Sequence, residues 1–182
     1  MSNQEFLSSS KKWDWVTPTE FWDKISPIFN FTLDVAADME STKCDMYITE
    51  EMDALTMDWV VHRGDHWWLN PPWGKAYEKE SKERGLNYRM HNWMRHALKQ
   101  YEKGYEGVSI VSVRTDTKWW QNNIKYAPWL LFPRGRVHFV DPITGIQGKQ
   151  TTFPSVLVIW IKHLSSIQIS LLRVIGDLRK RV

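Results

Sequence analysis

The tetrapeptide Asn70-Pro71-Pro72-Trp73 holds the residues of this sequence with the clearest chemical potential. Asn70 offers a side-chain carbonyl, Pro71 has a backbone carbonyl but no N–H, and Trp73 provides a flat aromatic face. Two acceptors beside a stacking surface suit a planar amine, because acceptors on both hydrogens push the nitrogen lone pair out of the ring plane toward an electrophile. The tetrapeptide therefore predicts a site that activates an exocyclic amine. The structural alternative is a rigid exit from a strand, since Pro-Pro turns are common.

An apolar strand is expected directly before this tetrapeptide. The run His66–Leu69 is typical of a buried strand, and the two prolines end it because they remove two backbone donors. Ligands bind in open α/β sheets beyond the carboxyl ends of strands, so the tetrapeptide stands where a site is expected. Similar patterns predict further strands at 31–35, 47–49, 108–113, 129–132, 136–140 and 156–161.

Helices are expected between these strands. Thr17-Pro18-Thr19-Glu20 has the composition of a helix start, with Thr17 as the cap and Pro18 in the first helical position. Apolar residues recur at helical spacing over 90–101, from 118 and over 165–182, whereas 75–89 is polar and fits no clear period. Alternating strands and helices favour an α/β fold with a mostly parallel sheet, and the closely spaced last strands favour an antiparallel edge.

The composition is that of one globular domain. The chain has 182 residues, of which 42% are hydrophobic and 25% charged. We expect residues 1–12 to form a disordered tail and 13–182 a single domain. The longest strongly apolar run, 156–161, is too short for a membrane span, and the first residues lack the apolar segment of a secretory signal, so a soluble, cytoplasmic protein is expected. The one cysteine excludes an intramolecular disulfide, and no Cys/His spacing indicates a metal site.

Six segments carry a resemblance to a known family. They are residues 15–18, 33–37, 53–55, 70–73, 114–119 and 135–139. In order and spacing they resemble the phage-type DNA N6-adenine methyltransferases, the Dam-like family, over residues 13–162. The resemblance implies a Rossmann-like, S-adenosylmethionine-dependent methyltransferase fold of the α/β class, mostly parallel with an antiparallel terminal strand. It also implies methyl transfer to N6 of an adenine flipped out of duplex DNA.

The resemblance also implies roles for individual residues. Asn70 and Pro71 would accept from adenine N6, and Trp73 would stack on the extruded base. Asp34 would lie beside the methionine end of the cofactor and Asp53 near its adenine amino group. The full set of implied catalytic residues is Asn70, Pro71, Pro72 and Trp73, and the implied cofactor contacts are Trp15, Thr17, Pro18, Asp34, Ala36, Asp53 and Asn70.

A basic, aromatic segment follows the tetrapeptide. Residues 75–103 contain eight Lys and Arg against four Glu, whereas the whole chain has a net charge of +3. A base-flipping enzyme would use such a segment as a DNA-contacting insertion, with Tyr77, Tyr88 and Trp93 interleaved to fill the vacated stack. An ordinary solvated helix face is an equally good interpretation. The candidate contacts to double-stranded DNA are Lys75, Lys79, Lys82, Arg84, Arg114 and Arg136.

Other functions use the same residue types. Cytosine N4 and a protein glutamine amide are also planar amines that two acceptors would serve. From a different class, the chain could be a non-catalytic DNA-binding module of a bacteriophage, although an intact tetrapeptide argues against a decayed site. Protection from a restriction enzyme, as in restriction–modification, and regulation both require the same site.

Overall fold

A computed structural model describes residues 15–72, 75–141, 145–147 and 153–181, without the side chains of 75–77 and 80. Within these residues there are five α-helices, α1 Thr19–Ile25, α2 Lys75–Glu83, α3 Met90–Glu102, α4 Lys118–Asn122 and α5 Ser166–Ile175. Seven strands are described, β1 Phe31–Asp34, β2 Met46–Tyr47, β3 His66–Leu69, β4 Gly107–Ser112, β5 Trp129–Pro133, β6 Ser155–Trp160 and β7 Gly176–Lys180. Short 3₁₀ helices cover Ser26–Ile28 and Ile124–Tyr126.

The strands form one mixed sheet in the order β2-β1-β3-β4-β6-β5-β7. The pairs from β2 to β4 are parallel, while β6 is antiparallel to both β4 and β5, and β7 is antiparallel to β5. Strands β1 to β5 therefore share one direction, and β6 and β7 oppose it. The expected antiparallel terminal strand is β7, but a second antiparallel strand, β6, lies inside the sheet.

Buried side chains cover both faces of the sheet. The runs in β4 and β6 are buried almost without interruption, which is typical of strands packed on both sides. Trp67 and Trp68 are fully buried in two separate clusters, because successive side chains of a strand point to opposite faces. Gly107 is the first residue of β4, and a Cβ there would lie 2.1 Å from the Trp67 ring. Seven of the 12 tryptophans of the sequence are buried in the described structure, so much of this unusually high tryptophan content belongs to the core.

The predicted cap of the first helix is wrong. The helix starts at Thr19, and its cap position is Pro18, whose backbone is extended and whose side chain makes no capping bond. Val16 pairs with Val140 through N–H···O bonds of 2.8 and 3.1 Å, which holds the preceding segment extended. The side chain of Thr17 consequently faces the interior instead of the helix end.

Two later predictions are also wrong. Residues 136–140 are not a strand, because only Val140 makes a ladder bridge; Val137 and Phe139 are buried by packing of an extended loop on the core. The helix predicted over 165–182 ends at Ile175. The chain continues as β7 because Gly176 fits against the Phe132 carbonyl, where a Cβ would lie at 2.1 Å, and the strand pairs with β5.

Candidate active site

A cleft opens at the carboxyl ends of β1, β2 and β3. The strand order changes direction here, since β2 lies on one side of β1 and β3 on the other. Such a switch point is the usual ligand position in open α/β sheets. Of the predicted contacts, the cleft is lined by Trp15, Thr17, Asp34, Ala36, Asn70 and Pro72.

Asp34 ends β1 and is the most buried acid of the cleft, with 3% of its surface exposed. Its carboxylate accepts the backbone N–H of Lys43 at 3.0 Å and that of Ala36 at 3.4 Å. Burial raises the pKa of Asp34 to about 7, although these two bonds lower it. Burial therefore favours the protonated carboxyl, and a cation bound in the cleft would stabilise its charged form.

Lys43 supplies a positive charge in the same cleft wall. Burial lowers its pKa, while the charges of Asp34 and Asp23 raise it. The sequence does not predict this lysine as a site residue, because no residue pattern in the loop after β1 indicates that the loop folds back to the strand end. The two opposite charges suit a ligand that is itself a zwitterion.

A hydrogen bond to Trp15 fixes the orientation of the Asn70 side-chain amide. Its Nδ2 donates to the Trp15 carbonyl at 2.7 Å, and a carbonyl can only accept. The amide oxygen must therefore point the other way, and no hydrogen bond among the described residues uses it. Pro71 is buried beside it, whereas Trp73 lies outside the described residues, so its stacking role stays a prediction.

Two buried polar atoms in the cleft wall have no partner within the described structure. They are the Thr17 hydroxyl and the Trp93 indole N–H, on side chains 1% and 2% exposed. Leaving a buried donor or acceptor unpaired costs about 1–3 kcal/mol, so such atoms are uncommon. The other unpaired buried atoms belong to residues outside this wall, namely Thr32, His66, Trp129 and Ser155. A ligand that completes both cleft atoms would remove this cost.

The cleft wall also has an aromatic part. Tyr88 and Trp93 are buried with ring centroids 5.2 Å apart, beside the apolar side chains of Ile48 and Ala54. The Tyr88 hydroxyl donates to the Glu50 carbonyl at 3.2 Å, and burial raises its pKa. Both rings are thus part of the wall, and they are too buried to fill a gap in a DNA stack.

Asp53 and Pro18 do not line the cleft, although their neighbours Ala54 and Thr17 do. Asp53 has a positive φ of 52°, and its carboxylate accepts the N–H of Leu55 at 3.2 Å in a tight turn. The indole of Trp59 donates to the Ala54 carbonyl at 2.9 Å and fixes this turn against the core. The structure therefore gives Asp53 a role in shaping the turn that carries Ala54.

The candidate DNA contacts differ in how strongly their side chains are held by neighbouring acidic residues. Lys79 and Lys82 are exposed on α2, where Lys79 lies 3.8 Å from Glu83. Arg84 is held by two hydrogen bonds to the Glu50 carboxylate, the second at 2.8 Å.

The remaining candidates lie near the other loops. Arg114 stands 3.9 Å from Asp116 and 4.3 Å from the centroid of the Phe153 ring. Arg136 is exposed, and the side chain of Lys75 is outside the description.

In the described part of the chain, no three His, Cys, Asp or Glu side chains are grouped so as to hold a metal ion. None of the helices described here is both long and apolar enough to cross a membrane.

Comparison with known proteins identifies the family. A family model described as DNA N-6-adenine-methyltransferase (Dam) matches residues 4–177. A DNA N-6-adenine-methyltransferase of Haemophilus phage HP1 (strain HP1c1) is 27% identical over 159 residues, covering 84% of this chain and 83% of the phage protein. Because the family model spans nearly the whole sequence, the chain belongs to the DNA N-6-adenine-methyltransferase (Dam) family, whose members are adenine-specific DNA methyltransferases.

Proposed function

We propose that the protein methylates adenine N6 in double-stranded DNA within this cleft, with S-adenosylmethionine as the methyl donor. The observation that carries the proposal is the orientation of Asn70, whose amide nitrogen is tied to Trp15 and whose oxygen is left to accept from an amine. The switch-point position of the cleft and the family membership support it. The strand order also supports a Rossmann-like methyltransferase fold.

The residues of the cleft fit the cofactor. Asp34 and Lys43 offer opposite charges to the ammonium and carboxylate of its amino-acid end. Tyr88 and Trp93 offer an aromatic wall to its adenosine end, and the unpaired atoms of Thr17 and Trp93 offer hydrogen bonds. When bound, S-adenosylmethionine supplies a methyl group activated by the sulfonium to which it is attached.

Asn70 would orient and activate the amine. Its amide oxygen accepts one N–H of adenine N6, and the backbone carbonyl of Pro71 accepts the other. Pro71 has no N–H of its own that could repel the amine, and both acceptors are neutral. With both hydrogens held, the lone pair faces the methyl carbon, so the chain contributes chiefly positioning and fixed dipoles.

Duplex DNA requires the adenine to leave the stack, because N6 is paired inside the helix. The exposed Lys79 and Lys82 of α2 would contact phosphates near the cleft, with Arg136 on another loop. Trp73 would stack on the extruded base directly after the two acceptors. The phage relative supports action on DNA in the cytoplasm of a host cell.

Substitution of Asn70 by Ala tests the assignment. Losing one preorganised hydrogen-bond group typically costs about 10²–10³ in kcat, so we expect methyl transfer to duplex DNA to fall by roughly that factor. Binding of S-adenosylhomocysteine, measured by calorimetry, should stay within about threefold of wild type, because Asn70 acts on the amine. An equal loss of binding and transfer would contradict the role of Asn70.

A further inference from the structure

The last two elements leave an exposed apolar stripe on a helix that adjoins an open sheet edge. Ile167, Leu171 and Val174 of α5 are 73%, 45% and 75% exposed, and their spacing puts them on one stripe. Leu172 is fully buried and anchors the helix to the sheet. At about 100° per residue, Leu171 lies about 100° from Leu172 around the helix, and Ile167 and Val174 lie about 140° and 160° from it on the same side. The stripe of Ile167, Leu171 and Val174 therefore runs along the outer side of α5 and reaches its flank at Leu171. We call it the α5 stripe.

The hydrogen bonds beside β7 show which of its backbone groups are unpaired. Arg134 donates to the Ile175 carbonyl at 3.0 Å, and Arg181 donates to the Pro128 carbonyl at 2.8 Å. Since backbone groups alternate in direction along a strand, the odd-numbered residues of β7 face β5. The N–H and C=O groups of Leu178 and Lys180 and the C=O group of Gly176 point outward, where the described residues provide no further strand, whereas the N–H of Gly176 donates to the Leu172 carbonyl.

We propose that β7 pairs antiparallel with β7 of a second copy of this chain, about a two-fold axis at Leu178. In this register Leu178 faces Leu178 of the second copy, and Gly176 faces its Lys180. The Leu178 pair exchanges two hydrogen bonds, and the Lys180 N–H of each copy donates to the Gly176 carbonyl of the other copy. No proline interrupts the strand.

The charges of β7 select this register. Within each chain Arg179 donates to the Asp177 carboxylate at 2.8 Å. In the dimer Asp177 also stands opposite Arg179 of the second copy, and Arg179 opposite its Asp177, so the two ion pairs join into one cluster of alternating charge. A two-fold axis at Asp177 would place the two Asp177 side chains opposite each other, and an axis at Arg179 would do the same for the two Arg179 side chains. An axis at Lys180 would place Arg179 opposite Arg181. Like charges directly opposite are destabilising, so charge complementarity favours the axis at Leu178. Charged edge strands commonly prevent pairing, but here the alternation of sign makes the edge complementary to itself.

The α5 stripe fits the same symmetry. The two-fold axis of an antiparallel strand pair is perpendicular to the sheet, so both copies of α5 lie on one face of the continuous sheet. The side of each helix that carries Leu171 can then approach the second copy across the axis and bury part of the α5 stripe. The cleft between β1 and β3 is separated from β7 by β4, β6 and β5, so it stays open in the dimer.

A charge-swap experiment tests the pairing. Sedimentation velocity at about 50 μM chain, where an interface of micromolar Kd is mostly formed, should give wild type twice the chain mass of 21.7 kDa. Asp177→Arg and Arg179→Asp should each be monomeric alone, because like charges then face each other. An equimolar mixture of the two variants should recover the dimer mass. The control Arg63→Asp, at an exposed arginine before β3, should remain dimeric.

A second variant keeps the test independent of β7 folding. Ile167→Lys changes an exposed side chain of the α5 stripe, so the variant should sediment as a monomer at about 50 μM. At a concentration well below the dimer Kd, where wild type is also monomeric, the two proteins should melt at the same temperature. A wild-type mass of one chain at this concentration would overturn the proposal. So would dimeric single charge variants, or a mixture that stays monomeric.

Discussion

Replacing Asp34 by Asn should remove a large pH dependence from the stability of the protein. Burial raises the pKa of Asp34 from 3.8 to about 7, against the effect of its bonds to the Ala36 and Lys43 N–H groups. The Lys43 ammonium lowers this pKa, the Asp38 carboxylate raises it, and the Cys44 thiol lies close by. The group therefore holds its proton more tightly in the folded protein than in the unfolded chain.

The sign follows from proton linkage. The folded pKa is raised, so the stabilising effect of Asp34 is complete below about pH 4 and is lost as the pH rises through about 7. One pKa unit corresponds to about 1.4 kcal/mol, which makes the whole loss about 4 kcal/mol. Roughly 3 kcal/mol of that loss falls between pH 5 and pH 8.

Urea unfolding at these two pH values measures the effect. The free energy of unfolding of Asp34→Asn, relative to wild type, should rise by roughly 3 kcal/mol from pH 5 to pH 8, because Asn does not ionise. Asp45→Asn is the matched control, since it removes an exposed carboxylate two residues after Lys43 that is not one of the charges acting on the pKa of Asp34, and this variant should keep the large pH dependence of wild type. Parallel pH curves for wild type and Asp34→Asn would refute the reasoning.

Two further predictions concern the ligands. Trp93→Phe should raise the Kd for S-adenosylhomocysteine, measured by calorimetry, about fivefold, because one net hydrogen bond to the ligand is lost. The control Trp129→Phe removes a buried N–H that is also unpaired but lies outside the cleft, so it should leave this Kd unchanged. Equal effects of the two changes would place the cause in packing. Replacing Lys79 and Lys82 together with Glu should weaken DNA binding and reduce the slope of log K against log salt by about 2, the contribution of two phosphate contacts. An unchanged slope in a salt titration would show that α2 is a solvated face.

The sequence predicts those helices and strands that are determined by the pattern of neighbouring residues. The strand His66–Leu69 and the helix from Met90 follow from an apolar run and an apolar period, and the two prolines mark the end of the strand. The C-terminal region shows the limit of such patterns. Its helical period continues past Ile175, but pairing with the free edge of β5 converts Gly176–Lys180 into a strand, which only the tertiary structure decides.

The same limit applies to the cleft. Thr17, Asp34 and Asn70 were predicted from motifs, and all three line it. The sequence does not predict Lys43 and Trp93 as residues of the cleft wall. The fold of the loop after β1 brings Lys43 to the cleft and the packing of α3 brings Trp93, and no local residue pattern indicates these two arrangements. The amine chemistry of the tetrapeptide also fits cytosine N4 or a glutamine amide, and it is the family membership that favours adenine.

The most direct test of the central claim is to incubate the purified protein with unmethylated duplex DNA and methyl-tritiated S-adenosylmethionine, digest the DNA to nucleosides and separate them by chromatography. We predict that the label appears in N6-methyldeoxyadenosine and that Asn70→Ala abolishes nearly all of it. Label in N4-methyldeoxycytidine, or DNA without label while S-adenosylhomocysteine still binds, would contradict the proposed function.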